Sequence, residues 1–132
     1  MDLTPESLAV RGGSNRDVDS LMEKIEDAVA DGFGPVLSIF CGTPVAGESH
    51  QETLRRICTD AGIPHPRVLV ARTSDLLASG LTLEWDTSDG QARNHFHATF
   101  TQSVEESQVH GFISCFDGPM PNPTGGRGGR AR

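Results

Sequence analysis

The chain predicts a single-domain fold of the α/β (α+β) class. Three observations carry that prediction: two segments with apolar residues at helical spacing, several short segments with strand alternation, and a strand–helix–strand order in the first half. At 132 residues the chain is long enough for one hydrophobic core. Hydrophobic residues make up only 36 %, beside 15 Gly and 8 Pro, so the core is modest and the expected framework is five strands and two main helices.

Residues 1–13 read as an extended lead-in, with Leu8 to Val10 as an additional edge strand. A helix follows, capped by Ser14 or Asn15, with Asp17 and Asp19 at its positive N-terminal end. Val18, Leu21, Met22, Ile25 and Val29 form its apolar stripe, and Gly32 ends it. Its outer face carries Glu23, Lys24, Glu26 and Asp27. Residues 35–41, PVLSIFC, are apolar on both alternating sets and predict a central strand. The second helix opens on the capping box of Ser49 and Glu52, buries Leu54, Ile57, Cys58 and Ala61, and stops at Gly62 and Pro64. Residues 67–72, RVLVAR, supply the next strand, so strand, helix and strand predict a βαβ unit with parallel strands. A helical turn spans 74–80. A β-hairpin then occupies 81–100, and residues 109–116, VHGFISCF, predict a last antiparallel strand, completing a mixed sheet. Residues 1–123 form the globular domain; residues 124–132, rich in Gly and Arg, read as a disordered tail because they offer no large apolar side chain to bury.

Charge narrows the function. The net charge is −7, and removing the tail arginines Arg127, Arg130 and Arg132 leaves −10 on residues 1–126. So acidic a body repels phosphate backbones, which argues against nucleic-acid binding and favours a basic protein partner. No window has the roughly 18 apolar residues of a membrane span, and the N-terminus has no basic, then apolar leader pattern. Cys41, Cys58 and Cys115 match neither a disulfide framework nor a zinc motif and read as buried thiols, the first and last of them in strands. A cytoplasmic location is the expectation.

Chemistry concentrates on the hairpin, LTLEWDTSDGQARNHFHATF, which turns at Asp89-Gly90. Leu81, Leu83 and Trp85 alternate with Thr82, Glu84 and Asp86; Phe96, Ala98 and Phe100 alternate with His95, His97, Thr99 and Thr101. If both apolar sets face the core, two carboxylates and two imidazoles share the other face. His95 and His97, at i and i+2 and so about 7 Å apart, are spaced to hold one divalent metal. The third ligand is Glu84, Asp86 or His110 on the last strand, giving a site of two histidines and a carboxylate, or of three histidines, with an open position. Without metal, Glu84 with His95 or His97 makes an acid/base pair. The plain alternative is a solvated sheet face that carries histidines.

The loop 42–49, GTPVAGES, has the glycine spacing of a phosphate-binding loop. Glu48 stands where such a loop needs lysine, and a carboxylate there repels phosphate.

Two functions remain open. One is a small binding or accessory module acting through its acidic surface, with Glu84, Asp86, His95, His97, Thr99 and Thr101 at the contact. The other is a small hydrolase, nuclease or isomerase on the same face, with Glu84 as base and His95 or His97 as acid or metal ligand, with or without a divalent metal.

Overall fold

A computed structural model describes residues 1–126. The predicted tail therefore lies outside the described residues from 127 onward, while Thr124 is placed in a turn, its backbone N–H and its hydroxyl both donating to Asn122 Oδ1. The elements in chain order are β1 (Leu8–Gly12), α1 (Val18–Ala30), β2 (Val36–Gly42), α2 (His50–Ala61), β3 (Arg67–Arg72), α3 (Thr73–Ala78), β4 (Thr82–Trp85), β5 (His95–Thr99), α4 (Glu106–Ser114) and β6 (Asp117–Pro121).

Among the described residues six strands form one sheet in the order β4-β5-β2-β1-β3-β6, and every neighbouring pair is antiparallel. The α/β class holds, but the sheet has one strand more than the five expected and is antiparallel rather than mixed. The reason lies in β1, predicted as an edge strand and found at the centre. Leu8, Ala9 and Val10 are all buried, so this short segment is covered on both faces. It inserts between β2 and β3, pairing Ala9 with Cys41 on one side and with Ala71 on the other. β2 and β3 still run in the same direction with α2 between them, but they are not neighbours.

The second correction concerns residues 109–116. They are not a strand: α4 covers most of them, and β6 follows. Val109, Phe112 and Ile113 are buried at helical spacing, and at the helix start the Glu105 N–H donates to Gln108 Oε1 at 3.0 Å. Cys115 consequently sits at the C-cap of α4 rather than in a strand, half-buried beside Ser79.

The other helix signals are read locally and largely hold. In α2, Ser49 accepts from the Glu52 N–H while Glu52 reaches back to the Ser49 N–H, and Gly62 ends the helix in the left-handed region at φ 64°. In α1 the cap is Asp17, beyond the two residues expected, because its carboxylate accepts from the Ser20 N–H.

Both faces of the sheet are packed. On one, Leu21 and Ile25 of α1, Leu76 of α3 and Phe112 of α4 close over Leu37, Ile39, Phe96 and Ala98. On the other, Leu54, Ile57 and Cys58 of α2 close over Leu8, Val10, Val68 and Val70. Helix α2 approaches the end of β2 so closely that a Cβ on Gly42 would lie 2.6 Å from Ile57 Cγ1. Burial pushes the Cys41 thiol up to about 12 and the Cys58 thiol up to about 11, so both are inert at neutral pH. Among the described residues, no helix is long and apolar enough to cross a membrane.

Candidate functional site

Strand period alone sends Phe96 and Ala98 of β5 into the first core and turns His95, His97 and Thr99 to the opposite face. The register with β4 sets Glu84 across from His97 and Trp85 across from Phe96. One further bond, from the Asp86 N–H to the His95 carbonyl at 2.9 Å, carries the pairing past the end of β4 and brings Asp86 beside His95. The connection 86–94 is longer than the tight Asp-Gly turn suggests. It is tied down where Asn94 rejoins the sheet: Cys41 N–H donates to its carbonyl, and its amide donates to the Ile57 carbonyl of α2.

The result is a compact trio. Asp86 Oδ2 lies 2.9 Å from His95 Nδ1 and 3.4 Å from His97 Nε2, and one donor atom from each residue falls within 4.8 Å of the others. Ligands of a tetrahedral zinc stand roughly 3.3 Å apart, given bonds near 2.0 Å, so a small adjustment turns this triangle into a coordination face. The His95, Asp86 and His97 side chains are 6 %, 12 % and 21 % exposed, sheltered but reachable. The two imidazoles meet edge to face at 5.1 Å; Phe40 packs on His95 at 5.4 Å and Phe33 stands edge-on to His97 at 6.1 Å.

Electrostatics favours ligand forms. The Ser88 hydroxyl and N–H both donate to Asp86 Oδ1, and with His95 they hold the carboxyl down at about 2. Burial pushes His95 below the ordinary imidazole value, and the Asp86 carboxylate opposes this without reversing it. At neutral pH the pair is therefore a carboxylate and a neutral imidazole whose Nδ1–H donates to it. Ligation through Nδ1 moves that proton off the atom, and neutral imidazole is the form that ligates.

The remaining candidates divide. Glu84 stands next to His97 in register, but its Oε1 accepts from the Thr99 hydroxyl at 3.2 Å, so Glu84 and Thr99 form a neighbouring pair outside the trio. Thr101 is drawn to α4, exchanging hydrogen bonds with Gln108. His110 is exposed on α4, whose buried side chains pack against the opposite sheet face, so the structure does not bring it to His95 and His97. The loop after β2 carries its own anion: Glu48 takes two hydrogen bonds from Arg56 at 2.9 Å and one from the Thr53 hydroxyl. Arg56 first, with Thr53, draws that carboxyl down to about 2.

A cleft of about 450 Å³ opens beside the trio. Besides Asp86, His95 and His97 it is lined by Phe33, Phe40 and Arg11. Sequence reading passed over these three because they come from the α1–β2 connection, from β2 and from a strand assigned to the edge. No local signal joins them to the hairpin. Fold and cleft together define a class: a single antiparallel sheet with helices on both faces and a His-His-carboxylate cluster where one face is left open. Comparisons with family models, with characterised proteins and with solved structures found no match for the chain.

Proposed function

We propose that the chain is a small metal-dependent enzyme of the hydrolase class, with Asp86, His95 and His97 as ligands of a divalent metal, zinc first. The observation that carries this reading is the convergence of three donor atoms of ligating type within 4.8 Å at the side of a cleft. Three protein ligands leave a position for water, which a catalytic zinc makes acidic, with a pKa of about 7. The chain's own residues supply the rest. Ser88 fixes the Asp86 carboxylate, Phe40 and Phe33 hold the imidazole planes, and Glu84, exposed beside His97, is the candidate proton acceptor.

The test is metal content and zinc titration of the protein and of His95→Ala/His97→Ala and Asp86→Ala. One equivalent bound by the wild type and lost in both variants is the expected result. Equal behaviour of all three proteins would sink the reading.

A second reading, an acidic docking module for a basic protein, is favoured by one observation. Glu23, Glu26 and Asp27 are all exposed on the outer face of α1, and none of them makes an ion pair among the described residues. Reversing those three charges abolishes partner binding under this reading and leaves zinc binding unchanged under the first.

A further inference from the structure

Strands β1 and β2 are paired over three residues only: Leu8 with Gly42, Ala9 with Cys41 and Val10 with Phe40. Beyond that point they part. β1 continues along β3 as far as Gly12 opposite Val68, while β2 continues along β5 as far as Val36 opposite Thr99. The split leaves the β1-side carbonyl of Ser38 without a ladder partner, and Arg11 replaces it: Nη1 donates to Ser38 O at 2.7 Å. The guanidinium carbon also lies 5.7 Å from the centre of the Phe112 ring, a cation–π contact that helps fix the head group.

This arginine is half-buried, and among the described residues its side chain makes no ion pair and its only hydrogen bond is the one to Ser38. Nε and Nη2 therefore have no protein acceptor there. Burial without a counter-charge also pulls its pKa down to about 10. Lys24, from the exposed face of α1, lines the same cleft and likewise makes no ion pair among the described residues. Residues 1–126 carry a net charge of −10, and of their Lys and Arg side chains only Arg56 is paired with a carboxylate, that of Glu48; Arg11 and Lys24 stand out because both line one cleft and Arg11 is half-buried. Two cations without carboxylate partners at one end of a cleft, on so acidic a protein, mark the place where the ligand supplies the negative charge.

Position links this end of the cleft to the trio. Ser38 is the register partner of His97, whereas Arg11 shares the sheet face of Ala9 and Phe112, so its head stands at the split on the other side of the sheet from the imidazole, and one cleft is lined by both. We propose that the cleft binds a small organic oxyanion, its carboxylate or phosphate group held by Arg11 and Lys24 at the split between β1 and β2, with its other end reaching Asp86, His95 and His97. This names the substrate class for the reading above and rests on it for the chemistry, whereas binding of the anion itself stands on Arg11 and Lys24 alone. Guanidinium and ammonium act together: the fork sets orientation, and the flexible lysine adds charge.

Calorimetric titration of inorganic phosphate and of succinate into metal-free protein, with Arg11→Gln and Lys24→Glu beside the wild type, tests the proposal. Saturable binding of one of the two anions is expected, weakened at least about tenfold in Arg11→Gln and about threefold in Lys24→Glu, with zinc affinity unchanged in both. The tighter anion tells phosphate from carboxylate. Lys24 lies on an exposed helix face, so its variant decides the matter if Arg11→Gln does not fold. Anion binding that survives both substitutions, or no binding of either anion by the wild type, overturns the proposal. Arg11-dependent anion binding in a protein that takes up no zinc upholds it while removing the metal reading.

Discussion

The sheet face that α2 packs against is two surfaces in one. Over β1, β3 and the end of β2 it carries Leu8, Val10, Val68 and Val70, sealed by Leu54, Ile57 and Cys58. Over the rest of β2 and over β5 and β4 it carries Ser38, His95, His97 and Glu84, and the cleft opens there. The same backbone geometry serves both, so the difference comes from coverage. Helix α2 ends at Ala61, and what it leaves uncovered must satisfy water or a ligand rather than a core. The covered half stores stability; the open half is free to hold polar groups at low cost.

The largest effect that would test this contrast is expected on the covered half. Ile57→Ala removes a fully buried side chain wedged against Gly42 and should destabilise by about 2–5 kcal/mol in urea unfolding. His97→Ala, on the open half, should change stability by no more than about 0.5 kcal/mol in the same experiment. A comparable loss in both would mean that the polar cluster is part of the core. In function the order reverses. His97→Ala should weaken zinc binding on the order of a hundredfold or more, since loss of an outer-shell partner alone costs about 10–100-fold, while Ile57→Ala should leave the affinity of the folded protein unchanged.

Smaller effects sharpen the comparison. Asp17→Ala removes the cap of α1, which packs on the other sheet face, and should cost about 1 kcal/mol with no effect on metal uptake. The least is expected from Glu48, paired with Arg56 at the start of α2. Its folded pKa is held down at about 2, below its ordinary value, so the ion pair adds stability above the ordinary carboxyl range. That contribution fades as pH falls toward 2. Urea midpoints for the wild type and Glu48→Gln should therefore converge between pH 4.5 and 2 and differ most at neutral pH; curves that stay parallel would show that the pair contributes nothing.

Local signals in the chain were legible wherever one element decides its own structure. The Ser49/Glu52 box, the Gly62 stop and the alternation of His95 and His97 with Phe96 and Ala98 all appear as read. The failures share a cause. Residues 109–116 are a short segment in which apolar residues are interrupted by His110, Gly111 and Ser114, too short for periodicity alone to separate helix from strand, and packing of Phe112 between the Phe100 and Phe116 rings accompanies the helical choice. The pairing of Leu8–Gly12 with two strands far along the chain leaves no mark on its own composition. Arg11 was invisible as a cleft residue for the same reason.

What the sequence by itself determined is therefore the side of each strand and helix that faces inward, because side-chain direction follows from backbone period. It settled that two imidazoles and the hairpin carboxylates share a face. Tertiary structure decided which carboxylate joins them, since the bond from the Asp86 N–H to the His95 carbonyl lines up Asp86 while Glu84 turns to Thr99. It also decided that β1 parts from β2 where Arg11 lines the cleft, and that α2 packs over β1 and β3 and leaves His95 and His97 at the cleft. These are contacts between segments distant in sequence, chosen by the packing of the whole sheet.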